Sequence, residues 1–321
     1  MEQVITGINA ITYPHLEVWN WLVAVYLFLG GLAAGLLVMS AVANLRQWPD
    51  YVEGPHCIIG VLYAPAVLAL GMVFIFLDLE RMSNVFWFFL TFQFFSPMSW
   101  GAWAITLTIP VSFLYGLSVV PEGMKQRMPF EFLRRWADRL HPHLRTLAMI
   151  CFALGIFVGI YTGILLSAML ARPLWNSALL PVLFLNSALS AGAAMLIIVA
   201  RRTQVKLFYT KVDIWLIFSE IMVIMLFFYG QYTSTAAKKA SAMPFFTFSH
   251  EYFFYFLSIM LVAILLPLAL VLKLIEMKED HVETLTSATI FRMNLSAVMV
   301  LIGGFIIRLA FIYAGQLSKF G

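Results

Sequence analysis

Eight long apolar stretches divide this chain, at roughly 18–43, 57–78, 99–120, 147–170, 177–200, 212–232, 252–274 and 292–315. A hydrocarbon core roughly 30 Å thick is crossed by about twenty residues of α-helix. Only helices or closed barrels can satisfy their backbone there. The pattern therefore predicts an all-α integral membrane protein of eight transmembrane helices, one polytopic membrane domain over residues 1–321. Pro65, Pro110, Pro181 and Pro267 fall inside these runs without vetoing them, because neighbouring spans can satisfy the freed backbone groups. Charged residues make up only 11% of the chain, against roughly a quarter in soluble domains, too few to cover a water-facing surface. A division into two four-helix halves near residue 172 is compatible with the spacing, although no internal repeat is visible.

The segment Val85–Phe95 (VFWFFLTFQFF) is too short to span and dense in the aromatics that favour the interface, so it reads as an interfacial or re-entrant stretch. With eight spans, fourteen Lys and Arg fall on one side, six of them in the loop 121–146, and five fall on the other. That bias puts the basic loop in the cytoplasm and both termini in the periplasm. The loop is expected to hold a short amphipathic helix lying on the inner surface. The excess of basic residues, a net +4, thus orients a membrane protein and is no nucleic-acid footprint. The first fifteen residues lack Lys and Arg, and the first run is long for a cleavable leader, so the first span itself is expected to direct insertion.

Metal chemistry finds little support. A membrane haem needs an axial histidine pair within the spans, whereas His15, His56, His141, His143, His250 and His281 all fall at span ends or in loops. Two cysteines, Cys57 and Cys151, cannot hold an iron–sulfur cluster and are expected as free thiols. No haem, iron–sulfur cluster or other metal is expected in this protein.

Ionisable groups at membrane depth mark function by default, because a charge in hydrocarbon is costly. Glu220 lies halfway along span six, with Asp213 seven residues earlier on the same helical face. With Ser219 they suggest the start of a proton path from the cytoplasm; a structural hydrogen bond between helices is the plainer reading. Arg308, two turns below the outer surface, has Asp78, Glu80 or a ligand as candidate partners, or it snorkels outward; a structural pairing is expected.

The outer face is denser. Asp78, Glu80 and Arg81 close span two, and Ser96, Pro97 and Trp100 open span three. Tyr161 sits in the outer half of span four, Arg172, Trp175 and Asn176 form the turn into span five, and Tyr26 lies just below the outer end of span one. Hydroxyls, a carboxylate and guanidiniums among aromatic rings suit a quinone head group, whose carbonyl oxygens accept hydrogen bonds while its tail stays in lipid. Trp100 and Trp175, each alone, read as an aromatic belt, and Arg81 alone as a partner of Asp78 at helical spacing. Glycines 30, 31 and 35 in GGLAAG read as close helix packing.

At these residues the chain resembles the NrfD/polysulfide reductase membrane subunits. The matching pieces are YLFLGGLAAG (26–35), DLER (78–81), SPMSWGAW (96–103), the stretch 161–192 from YTGILL through PLWN and PVLFL, and GGFIIRLAFIYAGQ (303–316). The resemblance implies a haem-free subunit that exchanges electrons between the quinone pool, menaquinone or ubiquinone, and a periplasmic partner. That partner would be a ferredoxin-like iron–sulfur subunit, with a molybdopterin or multihaem subunit beyond it. The implied quinone site lies near the outer surface among spans one to four, with Tyr161 as hydrogen-bond donor and Asp78 and Arg81 in the adjoining polar network. Tyr26, Trp100 and Arg172 are further candidates for holding the quinone. Where some relatives carry His in span one, this protein has Tyr26. The docking surface is expected to include 85–95 and the Arg172–Asn176 turn.

Two other classes are weighed. A secondary transporter wants broken helices and polar residues near the midplane, and among the acids only Glu220 stands there. A non-catalytic anchor for a periplasmic complex would show the same spans without a working site. Proton translocation through Asp213 and Glu220 is a further expectation.

Overall fold

The computed structural model describes residues 19–46, 55–79, 81–126, 130–248, 250–276 and 286–318. Eight helices in it are long and apolar enough to cross a membrane. They are α1 (Trp21–Leu45), α2 (Pro55–Asp78), α3 (Pro97–Val119), α4 (Leu144–Ser167), α5 (Leu179–Val199), α6 (Thr203–Thr233), α7 (Glu251–Ile275) and α8 (Ser287–Leu317). No strand occurs among the described residues.

Helix α1 lies at the centre, packed on α2, α4, α5 and α8. Around it, α2, α3 and α4 complete a first group of four; α5 bridges to a second group with α6, α7 and α8. The join is made by bare backbone. A Cβ at Gly35 of α1 would collide with the Ala188 carbonyl, and one at Gly192 of α5 would collide with the Gly35 backbone. Small residues let two helices approach this closely where lipid offers no hydrophobic drive to pair them. The GGLAAG reading of the sequence holds at Gly35.

Asn20 starts α1 by accepting a hydrogen bond from the Leu22 N–H at 2.7 Å. One residue earlier, Trp19 gives its N–H to Gln316 Oε1 (2.9 Å) while Gln316 Nε2 donates to the Trp19 carbonyl (2.7 Å). The start of the first span and the end of the last are thereby tied together, as an even number of crossings requires.

Some helices outrun their apolar stretches. Helix α6 begins at Thr203, nine residues before the hydrophobic run, because Lys206 is folded into the bundle. Its ammonium donates to the Ile197 carbonyl (2.5 Å) and Asn294 Oδ1 (2.8 Å), using an orphan carbonyl at the end of α5. In α7 the residues Ile259–Leu265 widen into a π-helix just before Pro267. The proline has no N–H for the carbonyl four residues back, and its ring crowds that turn. Helix α8 nestles against the widened stretch, a Cβ at Gly303 meeting Ala263.

The residues Val85–Leu90 form a short helix and do not cross the bundle, and Phe95 is 93% exposed. The loop between α3 and α4 carries the helix Glu131–Leu140. That the first segment does not span and that the loop holds a short helix agree with the sequence reading. Cys151 is a buried free thiol, whereas the side chain of Cys57 lies outside what is described.

Candidate functional site at one end of the bundle

Tyr161 and Tyr26 form the centre of the site. Helix α4 carries Tyr161 one and a half turns before its C-terminus, and the phenol end lies on the bare Cα of Gly101 in α3, where a Cβ would overlap the ring and hydroxyl. Tyr26, on α1, packs beside Gly71 of α2. The two phenols, only 3% and 8% exposed, are electrostatic neighbours, and among the described residues no side chain hydrogen-bonds either hydroxyl. Buried polar groups are normally partnered. Two hydroxyls set among four helices, with no side-chain partner among the described residues, can donate hydrogen bonds to something that enters from outside, and a carbonyl-bearing ring fits that geometry.

Asp78 closes α2 at the rim of this pair and shares a side-chain hydrogen bond with Asn20 at the start of α1. It does not pair with Arg81. Helix α2 ends at Asp78, so the three-residue spacing no longer places Arg81 on the same face, and Arg81 is exposed in the following turn. Glu80 lies outside the described residues. Trp100 stands at the exposed rim, its indole N–H donating to the Phe94 carbonyl at 2.7 Å.

The turn into α5 is built differently from the sequence expectation of an exposed docking surface. Arg172 is buried and donates to the carbonyls of Gln316 (2.5 Å) and Ser318 (3.0 Å), two orphan acceptors at the end of α8. Burial pushes its guanidinium below the ordinary arginine range. Trp175 is only 2% exposed, stacks on Trp19 at 5.4 Å and donates to the Phe311 carbonyl. It is a core residue rather than a member of the belt, and this turn is covered by the protein's own last helix.

Below the tyrosines runs a buried polar file. Arg308 of α8, fully buried, donates from Nε to the Leu27 carbonyl at 3.1 Å, one residue after Tyr26. Its Nη1 donates to Ser187 Oγ (3.2 Å) and the Gly304 carbonyl (2.7 Å). The Ser187 hydroxyl is in turn hydrogen-bonded to Glu220, whose charge faces Arg308. Arg308 therefore neither snorkels nor reaches Asp78; its carboxylate neighbour is Glu220. Arg308 Nη2 and Glu220 Oε1 have no hydrogen-bond partner among the described residues. Deeper still, Ser190 donates to Asp213 Oδ1 at 2.5 Å. Asp213 and Glu220 are both buried, as their shared face predicts, but Ser219 is exposed and outside the file.

Asn20, Gly101, Ser187 and Ser190 belong to this arrangement and were not singled out from the sequence as site residues. The two serines sit in the small-residue run NSALSAGAA, which on a spanning helix is itself a sign of a tight polar interface. Among the described residues no cluster of three His, Cys, Asp or Glu has metal-binding geometry.

Comparison with known proteins agrees with this architecture. The family described as "Polysulphide reductase, NrfD" matches residues 10–319. A polysulfide reductase polypeptide from Wolinella succinogenes is 29% identical over 317 residues, covering 93% of this protein and 94% of that one. The protein NrfD of Escherichia coli is 30% identical over 229 residues, covering 66% and 71%. A tetrathionate reductase polypeptide from Salmonella typhimurium is 26% identical over 201 residues, covering 62% and 54%. With eight spans and a match along nearly its whole length, the chain belongs to the NrfD/polysulfide reductase family of respiratory-reductase membrane subunits, as a multi-pass protein of the bacterial inner membrane.

Proposed function

We propose that this protein is the quinone-reactive membrane subunit of a respiratory oxidoreductase, exchanging electrons between the quinone pool and a periplasmic iron–sulfur partner. The observation that carries the reading is the buried Tyr26–Tyr161 pair, whose hydroxyls bond to no side chain among the described residues. A quinone, menaquinone or ubiquinone, supplies a carrier for two electrons and two protons. Tyr161, fixed on Gly101, donates a hydrogen bond to one carbonyl oxygen, and Tyr26 is placed to do the same from the facing helix. Asp78, at the rim and bonded to Asn20, passes protons between this pair and the outer water. Arg81 and Trp100 border the entrance, while Arg172 acts at one remove by holding the end of α8.

The relatives include parts of polysulfide and tetrathionate reductases, which favours a partner carrying the terminal chemistry here as well. The partner surface in this reading is the exposed aromatic segment around Phe86, Trp87, Phe94 and Phe95, beside the site. Asp213, Glu220, Ser187 and Arg308 form a file from the opposite half of the membrane to the Leu27 carbonyl, next to Tyr26. That file supports proton movement coupled to quinone turnover.

Replacing Tyr161 with Phe tests the site. The loss of one buried hydrogen bond, about 1–3 kcal/mol, corresponds to a fall of about 10- to 100-fold in quinone-linked electron transfer. An unchanged rate in an intact complex would instead identify the protein as a non-catalytic anchor.

A further inference from the structure

The helix Glu131–Leu140, between α3 and α4, is fixed at the basic end of the bundle by two contacts. Ala137 is fully buried. Asp138 bonds the Lys125 ammonium at 2.9 Å, and Glu122 bonds the same ammonium at 2.7 Å. Leu133, Ala137 and Leu140 share the face turned to the bundle. Phe132 and Trp136, one turn apart, form an exposed apolar edge, continued by exposed Phe130. Arg139 adjoins that edge, seven residues after Phe132.

The acids of the segment are already committed. Glu122 and Asp138 are paired with Lys125, and Glu131 is paired with Arg135 at 2.8 Å. Arg134, Arg139 and Arg145 make no ion pair among the described residues. A fixed helix thus presents an exposed aromatic edge with unneutralised guanidiniums beside it. Aromatic rings favour the headgroup boundary, and arginine forks match phosphate oxygens.

We propose that this helix and the start of α4 bind the phosphate headgroups of anionic phospholipids in the adjoining leaflet. Phe132 and Trp136 enter the acyl region; Arg134, Arg139 and Arg145 meet the phosphates. Exposed Phe132 and Trp136 favour lipid over a soluble acidic protein, because such a partner would leave that edge unmatched. The proposal stands apart from the quinone reading.

The test uses the full-length protein in detergent, titrated with short-chain phosphatidylglycerol or phosphatidylcholine, with bound lipid read by native mass spectrometry. Each arginine near a charged lipid contributes about a fivefold preference, so three give roughly 100-fold for phosphatidylglycerol, weakening as salt is raised. The triple variant R134Q/R139Q/R145Q should fall to within a few-fold of parity, and the triple Lys variant should keep most of the preference. R135Q, which removes an arginine already paired with Glu131, should change it much less. Inorganic phosphate should not compete, since it lacks the apolar half of the ligand. Equal binding of the two lipids, an undiminished preference in the triple Gln variant, or a loss as large in R135Q would each overturn the assignment. Capture of an acidic protein at this helix, abolished by the same three changes, would overturn it too.

Discussion

The phenol of Tyr161 rests on the bare Cα of Gly101, so the position of the hydroxyl is set by what a glycine lacks. A methyl group there has nowhere to go without moving the ring. Gly101→Ala should therefore lower quinone-linked activity at least as much as loss of the hydroxyl, with a stability cost of about 1–3 kcal/mol typical of overpacking. Activity at saturating quinone and thermal unfolding, measured together, separate displacement of Tyr161 from general unfolding. Full activity in this variant would show that the ring position is unimportant.

Arg308 and Glu220 provide a second prediction. Arg308→Met leaves Glu220 buried without its compensating charge, which costs about 3–5 kcal/mol. The double variant R308M/E220Q removes both charges and should unfold at a higher temperature than R308M alone. Glu220→Gln by itself, with Arg308 still bonded to the Leu27 and Gly304 carbonyls, should be the mildest of the three. In a coupled assay it should also lower the protons taken up per electron. An unaltered ratio rejects the proton route and leaves the tyrosine site standing.

Lys125 makes stability depend on alkaline pH. Burial alone depresses the ammonium, but the hydrogen bonds and charges of Glu122 and Asp138 outweigh it, and the group ends above the ordinary lysine range. Its contribution is complete below the unfolded-state value, about 10.4, and is lost as pH rises through the higher folded value. Hydrogen exchange in the helix Glu131–Leu140 should accelerate at that upper end in the native protein. Lys125→Met should remove the step, and a step of the same size in that variant would assign it to another group.

The spans were readable because twenty apolar residues in a row have one stable solution in a bilayer, and the aromatic segment after Asp78 was readable because eleven residues are too few. Their ends were less so. A polar residue such as Lys206 stops the hydropathy count, yet the helix continues through it once Ile197 and Asn294 supply partners from other elements. The same blindness hid the partner of Arg308. Glu220 and Ser187 lie on other helices far away in sequence, and hydropathy does not say which spans are neighbours. Tyr161 and Tyr26 stood out as hydroxyls at one depth, but Gly101 did not, since its part is to be absent from the space the ring occupies. Arg172 and Trp175 were misplaced at the surface because nothing in their own turn announces that the end of α8 will cover it.

The most direct test of the quinone site is photolabelling of the full-length protein by a quinone carrying a light-activated group on its ring. The small apolar crevice lined by Ile224, Phe228, Phe245, Phe256, Ile259, Ile307 and Phe311 is a built-in control, being an apolar hollow that contains neither tyrosine. A quinone held between Tyr26 and Tyr161 predicts label on the peptides containing Gly101 and Tyr161, displaced by unlabelled quinone and lost in Gly101→Ala. Displaceable label confined to the crevice, or none at all near Tyr161, would contradict it.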